Sequence, residues 1–199
     1  PAAVSAAGAV LHYLKDTQRA ALDHLERPSF YDRSEAMVLD TVTVRNLELV
    51  EPLFAADIAA KDSTLVSVID RTATGMGARL LRRRLLRPSI DRAEIEARLD
   101  AVAALVQSTI PRTEARKSLG EMQDIERLLA KVTMATAGPR ELLALARSLA
   151  RIPELRKAID GLRGTPRIAG IYDRLDELAD VRDRVLTGLA DEPPVNLAD

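Results

Sequence analysis

The 199-residue chain contains no cysteine, which excludes disulfides, thiol catalysis and cysteine-based metal sites. It has no tryptophan, aromatic residues make up only 3% of it, and glycine is sparse at nine. The apolar content is therefore mostly Leu, Ala, Val and Ile. No charge of one sign dominates: the formal net charge is −1, which argues against an autonomous nucleic-acid binder with a basic footprint. His12 and His24, the two histidines, are too few and too far apart for a metal site with a clear partner. No apolar run approaches the length needed to span a bilayer. The first residues, Pro1 to Ser5, include no initiator Met and no charged region of a signal peptide. A cytoplasmic protein, or an excised piece of one, is the expectation, with no membrane partner.

What is present is a hydrophobic fraction of 47% and a charged fraction of 30% with both signs interspersed. With few glycines, that mix favours helices. The predicted fold class is mainly α: a multi-helical array of long amphipathic helices with at most one or two short strands. One helical domain is expected over residues 1–199, with sub-regions of about 1–90 and 91–199. The length suffices for one large domain or two small ones.

The stretch from Ser63 to Pro88 organises the rest. Ser63 or Asp62 is placed to cap a short helix. Asp70 to Gly77 carries two glycines and two threonines, the chemistry of a tight turn between helices. Leu80, Leu81 and Leu85 then recur at helical spacing. Pro88 ends that helix, because the residue before a proline is pushed out of the α region.

In chain order, Val4 to Leu25 predicts an amphipathic helix with Ala7, Leu11, Leu14, Ala21, Leu22 and Leu25 on one face, and Gln18 among them. A break at 28–35 follows. A short strand is expected near 37–39, then a helical turn capped by Asp40. Residues 51–61 read as a loop. Asp91 with Glu94 predicts a capping box, and Ile95, Leu99, Val102, Leu105 and Val106 the apolar face behind it. Pro111 restarts the chain. A helix over 122–132 is expected to bury Ile125, Leu128, Leu129 and Val132. Gly138-Pro139 starts another, with Leu142, Leu145, Leu149 and Ile152 as its seam. Pro153 opens a helix through Ile159 and Leu162. A loop spans 161–166. A last helical stretch, broken near Ala179–Asp180, carries Ile171 to Leu189.

Catalytic patterns are missing. There is no Gly-x-x-x-x-Gly-Lys-[Ser/Thr] phosphate loop and no nucleophile elbow. Asp124 and Glu126 invite a reading as paired carboxylates. Two residues apart on a helix they point to different sides, so structural ion pairing is the better reading. Arg79, Arg82, Arg83, Arg84 and Arg87 form a basic helix. It either contacts nucleic acid or pairs with acidic helices of this or a neighbouring domain, such as the segment carrying Asp173, Asp176, Glu177 and Asp180. No aromatics interleave with these arginines for base stacking.

The central stretch closely resembles the core region of the MutS mismatch-recognition family, whose pattern is Thr-Leu-x-Ser-Val-Leu-Asp-x-Thr-x-Thr-x-Met-Gly-x-Arg-Leu-Leu followed by a basic helix and a proline. Thr64, Leu65, Ser67, Val68, Asp70, Thr72, Thr74, Met76, Gly77, Arg79, Leu80, Leu81 and Pro88 fall on it. Ile69 replaces a leucine, and Arg84 stands where that pattern often has tryptophan. Tyr13…Thr17-Gln18, the string Asp40, Thr43, Arg45, Asn46, Leu47, Glu48, and Asp124-Ile-Glu-Arg-Leu128 are similar to other parts of that core. The resemblance implies a lever that joins mismatch-binding and connector domains to a clamp and an ATPase domain, and relays nucleotide state to DNA grip. It further implies a parent protein that is a homodimer, binds mismatched DNA and uses ATP and Mg. Other domains of the same chain, and a repair partner protein, are the implied partners. No Phe-x-Glu mismatch wedge and no Walker motif occur in this sequence, so no enzymatic activity, catalytic residue, cofactor or metal is expected of the chain itself. The alternatives are a free-standing helical docking scaffold, or a nucleic-acid module using the Arg79–Arg87 helix.

Overall fold

The computed structural model describes residues 2–18, 36–53 and 63–194. It divides into two compact units, Pro1–Asp32 and Arg33–Asp199. In the first, α1 (Ala2–Gln18) is a single helix. Its predicted stripe of Ala7, Leu11 and Leu14 is the half-buried one, while Val4, Val10 and Tyr13 are exposed. The continuation expected through Ala21, Leu22 and Leu25, the side chain of Gln18, the break at 28–35 and most of the 51–61 loop lie outside the described residues.

The second unit is mainly α, and no strand occurs among its described residues. The strand expected near 37–39 is reduced to one antiparallel bridge between Ala36 and Ser89, with the Met37 amide donating to the Pro88 carbonyl at 2.8 Å. Pro88 offers that carbonyl but has no N–H to return, so no ladder propagates. Asp40 caps α2 (Thr41–Asn46), its carboxylate accepting from the Thr43 amide at 2.7 Å. Glu48 then turns the chain at φ 45°. That left-handed conformation costs a side-chain-bearing residue energy. It is held because the Glu48 carboxylate accepts the Leu53 amide and the carbonyls of Glu48 and Leu49 accept the first amides of the next helix, those of Leu65 and Val66.

That helix is α3 (Leu65–Ile69), and its cap is the buried Thr64, not Ser63 or Asp62. Thr64 Oγ1 accepts from the Ser67 amide, and Ser67 Oγ donates back to the Thr64 carbonyl. The expected tight turn is shorter than its glycines suggest. Thr74 caps α4 (Gly75–Leu86), so both glycines lie in the first helical turn. Gly77 serves by close approach: a Cβ there would sit 3.2 Å from Thr74 Oγ1 and 3.3 Å from Thr72 Cβ.

Beyond Pro88 come α5 (Arg92–Gln107), α6 (Thr109–Gly120), α7 (Ile125–Thr133), α8 (Pro139–Leu149) and α9 (Ile152–Ile159). A 3-10 turn (Asp160–Leu162), α10 (Pro166–Tyr172) and α11 (Ala179–Gly188) follow. One core forms where α9 lies on α6 and α10 on α5, around Ala115, Leu155, Ala158, Ile159 and Ile168. A second layer stacks α8 between α7 and α11. Its buried line is Leu143, Ala146 and Leu149. The predicted seam of Leu142 and Leu145 is only half-buried, because a helix flanked on two sides buries the residues between its contacts. Ile152 belongs to α9.

Two further expectations change. Asp91 caps α5 by accepting the Ala93 amide, but Glu94 does not close a box. The Asp91 amide donates to Ser89 Oγ, and Glu94 is drawn into ion pairs with Arg98 and Arg167. Leu129, predicted buried, is exposed, with Ile125, Leu128 and Val132 half-buried. The face of α5 turned to the core is Ala101, Ala104 and Leu105. Ile95, Leu99, Val102 and Val106 are instead 39%, 61%, 57% and 61% exposed. Ala101 and Ala104 let α5 approach its neighbours closely, and of the predicted face only Leu105 turns to the core with them.

Candidate functional site

The arginine helix is split between two environments. At its N-terminal end, Arg79 reaches the start of α7, whose N-cap Asp124 lies 45 residues further along the chain. Its Nη1 and Nη2 donate to the two carboxylate oxygens of Asp124, each at 2.7 Å, and Nη2 also reaches Glu126 Oε2 at 2.5 Å. Asp124 and Glu126 do not diverge as the helical spacing suggests, because Asp124 is the N-cap of α7 and not yet on the helix. It bonds the Arg127 amide and the guanidinium together. The pairing is thus structural, and the acidic partner differs from the one proposed from sequence. Glu177 pairs with Arg156 and Arg182, and Asp176 accepts the Leu178 amide.

These bonds act on both charges. The Arg79 hydrogen bond holds the Asp124 carboxyl down at about 2, and the two carboxylates push the Arg79 guanidinium further up. A carboxylate depressed in the folded state adds stability above its unfolded value and loses it as pH falls through the folded one. Asp124→Asn is therefore expected to lower stability at neutral pH and to leave a protein whose stability falls less between about pH 4 and pH 2. Urea unfolding at several pH values checks this. An unchanged acid limb would contradict it.

Elsewhere the motif residues are structural neighbours. Asp70 accepts both the amide and the hydroxyl of Thr72, and the Thr72 hydroxyl bond is what chiefly lowers its carboxyl from the usual range. The Arg116 guanidinium donates to the Arg71 carbonyl at 2.7 Å, tying this loop to α6. Met76 is half-buried in the first turn of α4, and Arg45 and Asn46 lie exposed in the last turn of α2. Arg82 lies 3.4 Å from Glu51. Pro88 gives its carbonyl to the bridge described above.

The other end of the helix opens on a cleft of about 880 Å³ lined by Arg83, Arg84 and the C-cap Arg87. Arg98 of α5 and Arg167 of α10 face them across it, with Glu94 between, 2.8 Å from Arg98 and 3.1 Å from Arg167. Arg98 and Arg167 were not singled out from sequence. The Glu94–Arg98 spacing of four was the visible signal, but it marks a helix pair and does not say which helix lies opposite. No group of three or more His, Asp or Glu is placed to hold a metal ion among the described residues. Nor is any described helix long and apolar enough to cross a membrane.

Segment 191–193 is also tied down. Arg140 Nε donates to the Pro193 carbonyl at 2.8 Å, and Arg147 Nη2 to the Asp191 carbonyl at 3.1 Å. Segment 191–193 is thereby strapped to α8, beside the fully buried Ser148, which accepts the Gln123 amide and donates to the Ala144 carbonyl.

Comparison with known proteins agrees with this pattern. The family model of MutS domain III matches residues 42–199. The DNA mismatch repair protein MutS of Solibacter usitatus is 61% identical over 200 residues, which cover 100% of this chain and 23% of that protein. The protein of the same name from Symbiobacterium thermophilum is 43% identical over 197 residues, covering 99% and 22%. That of Pelotomaculum thermopropionicum is 38% identical over 198 residues, covering 100% and 23%. The chain thus spans less than a quarter of the length of these curated relatives. Its cap-and-arginine motif, the mainly α build of its described residues and these matches together place it in the MutS family, as domain III.

Proposed function

We propose that this chain is a non-catalytic coupling element, a lever that carries mechanical state between the DNA-binding and ATP-hydrolysing parts of a MutS protein. The carrying observation is the row Ile95, Leu99, Val102 and Val106 on α5. Four large apolar residues at spacings of four, three and four stand exposed on a helix whose core-facing residues, Ala101, Ala104 and Leu105, are half-buried. That spacing is the seam by which one helix receives another. Faces of this kind suit docking to further domains of the longer chain.

Two properties suit a relay. The core packs α9 on α6 and α10 on α5 around Leu155, Ile159 and Ile168, and packed interiors transmit strain. The ties of Arg79 to α7 and of Arg140 and Arg147 to segment 191–193 fix the motif helix and that segment to neighbouring helices. ATP, Mg and mismatched DNA are bound by the longer protein and not by these residues, and the longer protein is a cytoplasmic homodimer that meets a repair partner. A phosphate-tracking role for the whole arginine helix is less well supported, because Arg79 is already committed to two carboxylates.

The test uses the full-length protein with Leu99→Glu and Val102→Glu. ATP is expected to change the affinity of the wild type for mismatched DNA by a factor within roughly 5–150. In the variant that factor should fall toward one, while ATP alone and DNA alone still bind. An unchanged factor would remove the α5 face from the relay.

A further inference from the structure

Among the described residues, three that are not glycine take a left-handed backbone: Glu48, Ala135 and Leu178. Two of them are accounted for locally. Glu48 is held by the bonds to its carboxylate and carbonyl. Ala135 follows the C-cap Met134, the position at which helices commonly leave through this conformation. Leu178 differs, because it stands at the entry of α11. An entry residue is ordinarily extended and offers a side-chain acceptor to the first amides of the helix. Leu178 sits at φ 43° and ψ 48° and makes no side-chain cap bond. Its amide donates to Asp176 Oδ1 at 2.9 Å, and its carbonyl accepts from the Arg182 amide at 2.8 Å. A leucine in this conformation carries backbone strain, which the surrounding structure has to hold.

The packing of α11 gives little hold. The helix lies on α8, yet none of its residues is buried, and Val181 is 48% exposed. Its polar side chains bond locally. Arg182 pairs with Asp183 and with Glu177, and the Thr187 hydroxyl donates to the Asp183 carbonyl. The buried residue of this part of the chain is Pro193, beyond the helix. There Arg140 and Arg147 reach from α8 to the carbonyls of Pro193 and Asp191. Both acceptors are neutral and both arginines are exposed, so each bond contributes modestly and breaks without unfolding a core. A strained joint at one end and a surface clasp at the other thus bracket a lightly packed helix.

We propose that residues 179–193 form a latched arm: α11 and the strap swing as one piece about Leu178, and Arg140 and Arg147 hold the closed position by clasping the strap. Strain at Leu178 favours the open position, in which its φ returns to negative values. Burial of Pro193 and the two guanidinium bonds favour the closed one. Opening bares the cleft of about 530 Å³ that the strap lines together with Leu143, Ala144 and Ser148. Two opposed contributions of similar size make the arm a two-state element. The device belongs to this chain and does not depend on the lever reading, so its test needs neither DNA nor ATP.

The chain has no cysteine, so spin labels can be carried on Ala130→Cys of α7 and Arg184→Cys of α11, both at exposed positions. Pulsed electron spin resonance then reads the distance between the arm and the α7–α8 layer. The otherwise unaltered chain is expected to give mainly one short distance. Arg140→Met with Arg147→Met should raise the ratio of a longer distance to that short one by roughly tenfold. Lys117→Met, on α6, is the control and should leave the ratio unchanged. Circular dichroism confirms that each variant is folded. The joint supplies an independent sign. Leu178→Asn, a residue that visits the left-handed region readily, should shift the double arginine variant back toward the short distance. Leu178→Val, whose branched side chain tolerates that region least, should populate the longer distance even with both arginines in place. If the valine variant does not fold, the asparagine variant in the arginine background still decides. An unchanged distance in the folded double arginine variant overturns the clasp. Failure of asparagine to restore the short distance overturns the strained joint. A loss of helical signal in place of a second distance would show that α11 melts and does not swing, which overturns the arm as well.

Discussion

Truncation of Leu155 to alanine is expected to lower the free energy of unfolding by about 2–5 kcal/mol. Leu155 is buried in the cluster formed by α6, α9 and α10. Its buried neighbours Ala115 and Ala158 bring the helix backbones close and carry no flexible side chain able to swing into the space left behind. The cavity left behind adds its own cost to the lost transfer energy, to the extent that Ile159, Ile168 and Met122 do not move to fill it. For a chain of this length, each kcal/mol moves the melting temperature by about 2–4 °C. A thermal melt followed by circular dichroism should therefore shift down by roughly 5–15 °C. Leu99→Ala is the contrast: its side chain is largely exposed, and its loss is expected to shift the melt of this chain by little. Equal shifts for the two variants would mean that the helices pack on the other face of α5.

Arg79→Ala is expected to have the second largest effect, on local order more than on the core. The guanidinium is the bond between the first turns of α4 and α7, closed on two carboxylates at once. Its removal leaves Asp124 as a cap for the Arg127 amide but severs α4 from α7. Amide exchange in residues 75–80 and 124–128 should then quicken by roughly tenfold, while α9 and α10 keep their protection. Arg79→Lys should fail to restore it, since one ammonium cannot reproduce a bidentate fork on Asp124 and still reach Glu126. Exchange measured by mass spectrometry reads both segments in one experiment. A uniform rise across all helices would show that the tie belongs to the global core and is not a local staple.

The helices themselves were legible because their ends are written in side chains. Asp40, Asp91, Gly138-Pro139 and Pro153 each mark a start that the structure keeps, within a residue. Which of several candidate caps is used was not legible: Thr64 displaces Ser63 because the Glu48 and Leu49 carbonyls have to meet the next two amides. Apolar periodicity found the apolar stripes of α5 and α8, but most of the α5 stripe is exposed and Leu142 and Leu145 of α8 are half-buried, since a stripe records what is apolar and not what covers it. The pairing of Arg79 with Asp124 and Glu126 was hidden by treating both carboxylates as helical, when one precedes the helix. The cleft around Arg84 was invisible for a tertiary reason. Arg98 and Arg167 come from helices that only packing brings opposite α4, and no spacing in the chain connects them.

The lever reading is tested most directly by the reciprocity of coupling in the full-length protein, with and without Arg79→Ala. The affinity for mismatched DNA is measured with and without ATP, and the affinity for ATP with and without DNA. A relay running through this domain predicts that the two factors agree in the wild type, as linkage requires, and that both shrink together in the variant while each ligand alone still binds. Coupling factors of wild-type size in a folded Arg79→Ala protein would mean that nucleotide state reaches the DNA by a route that does not pass through the α4–α7 tie.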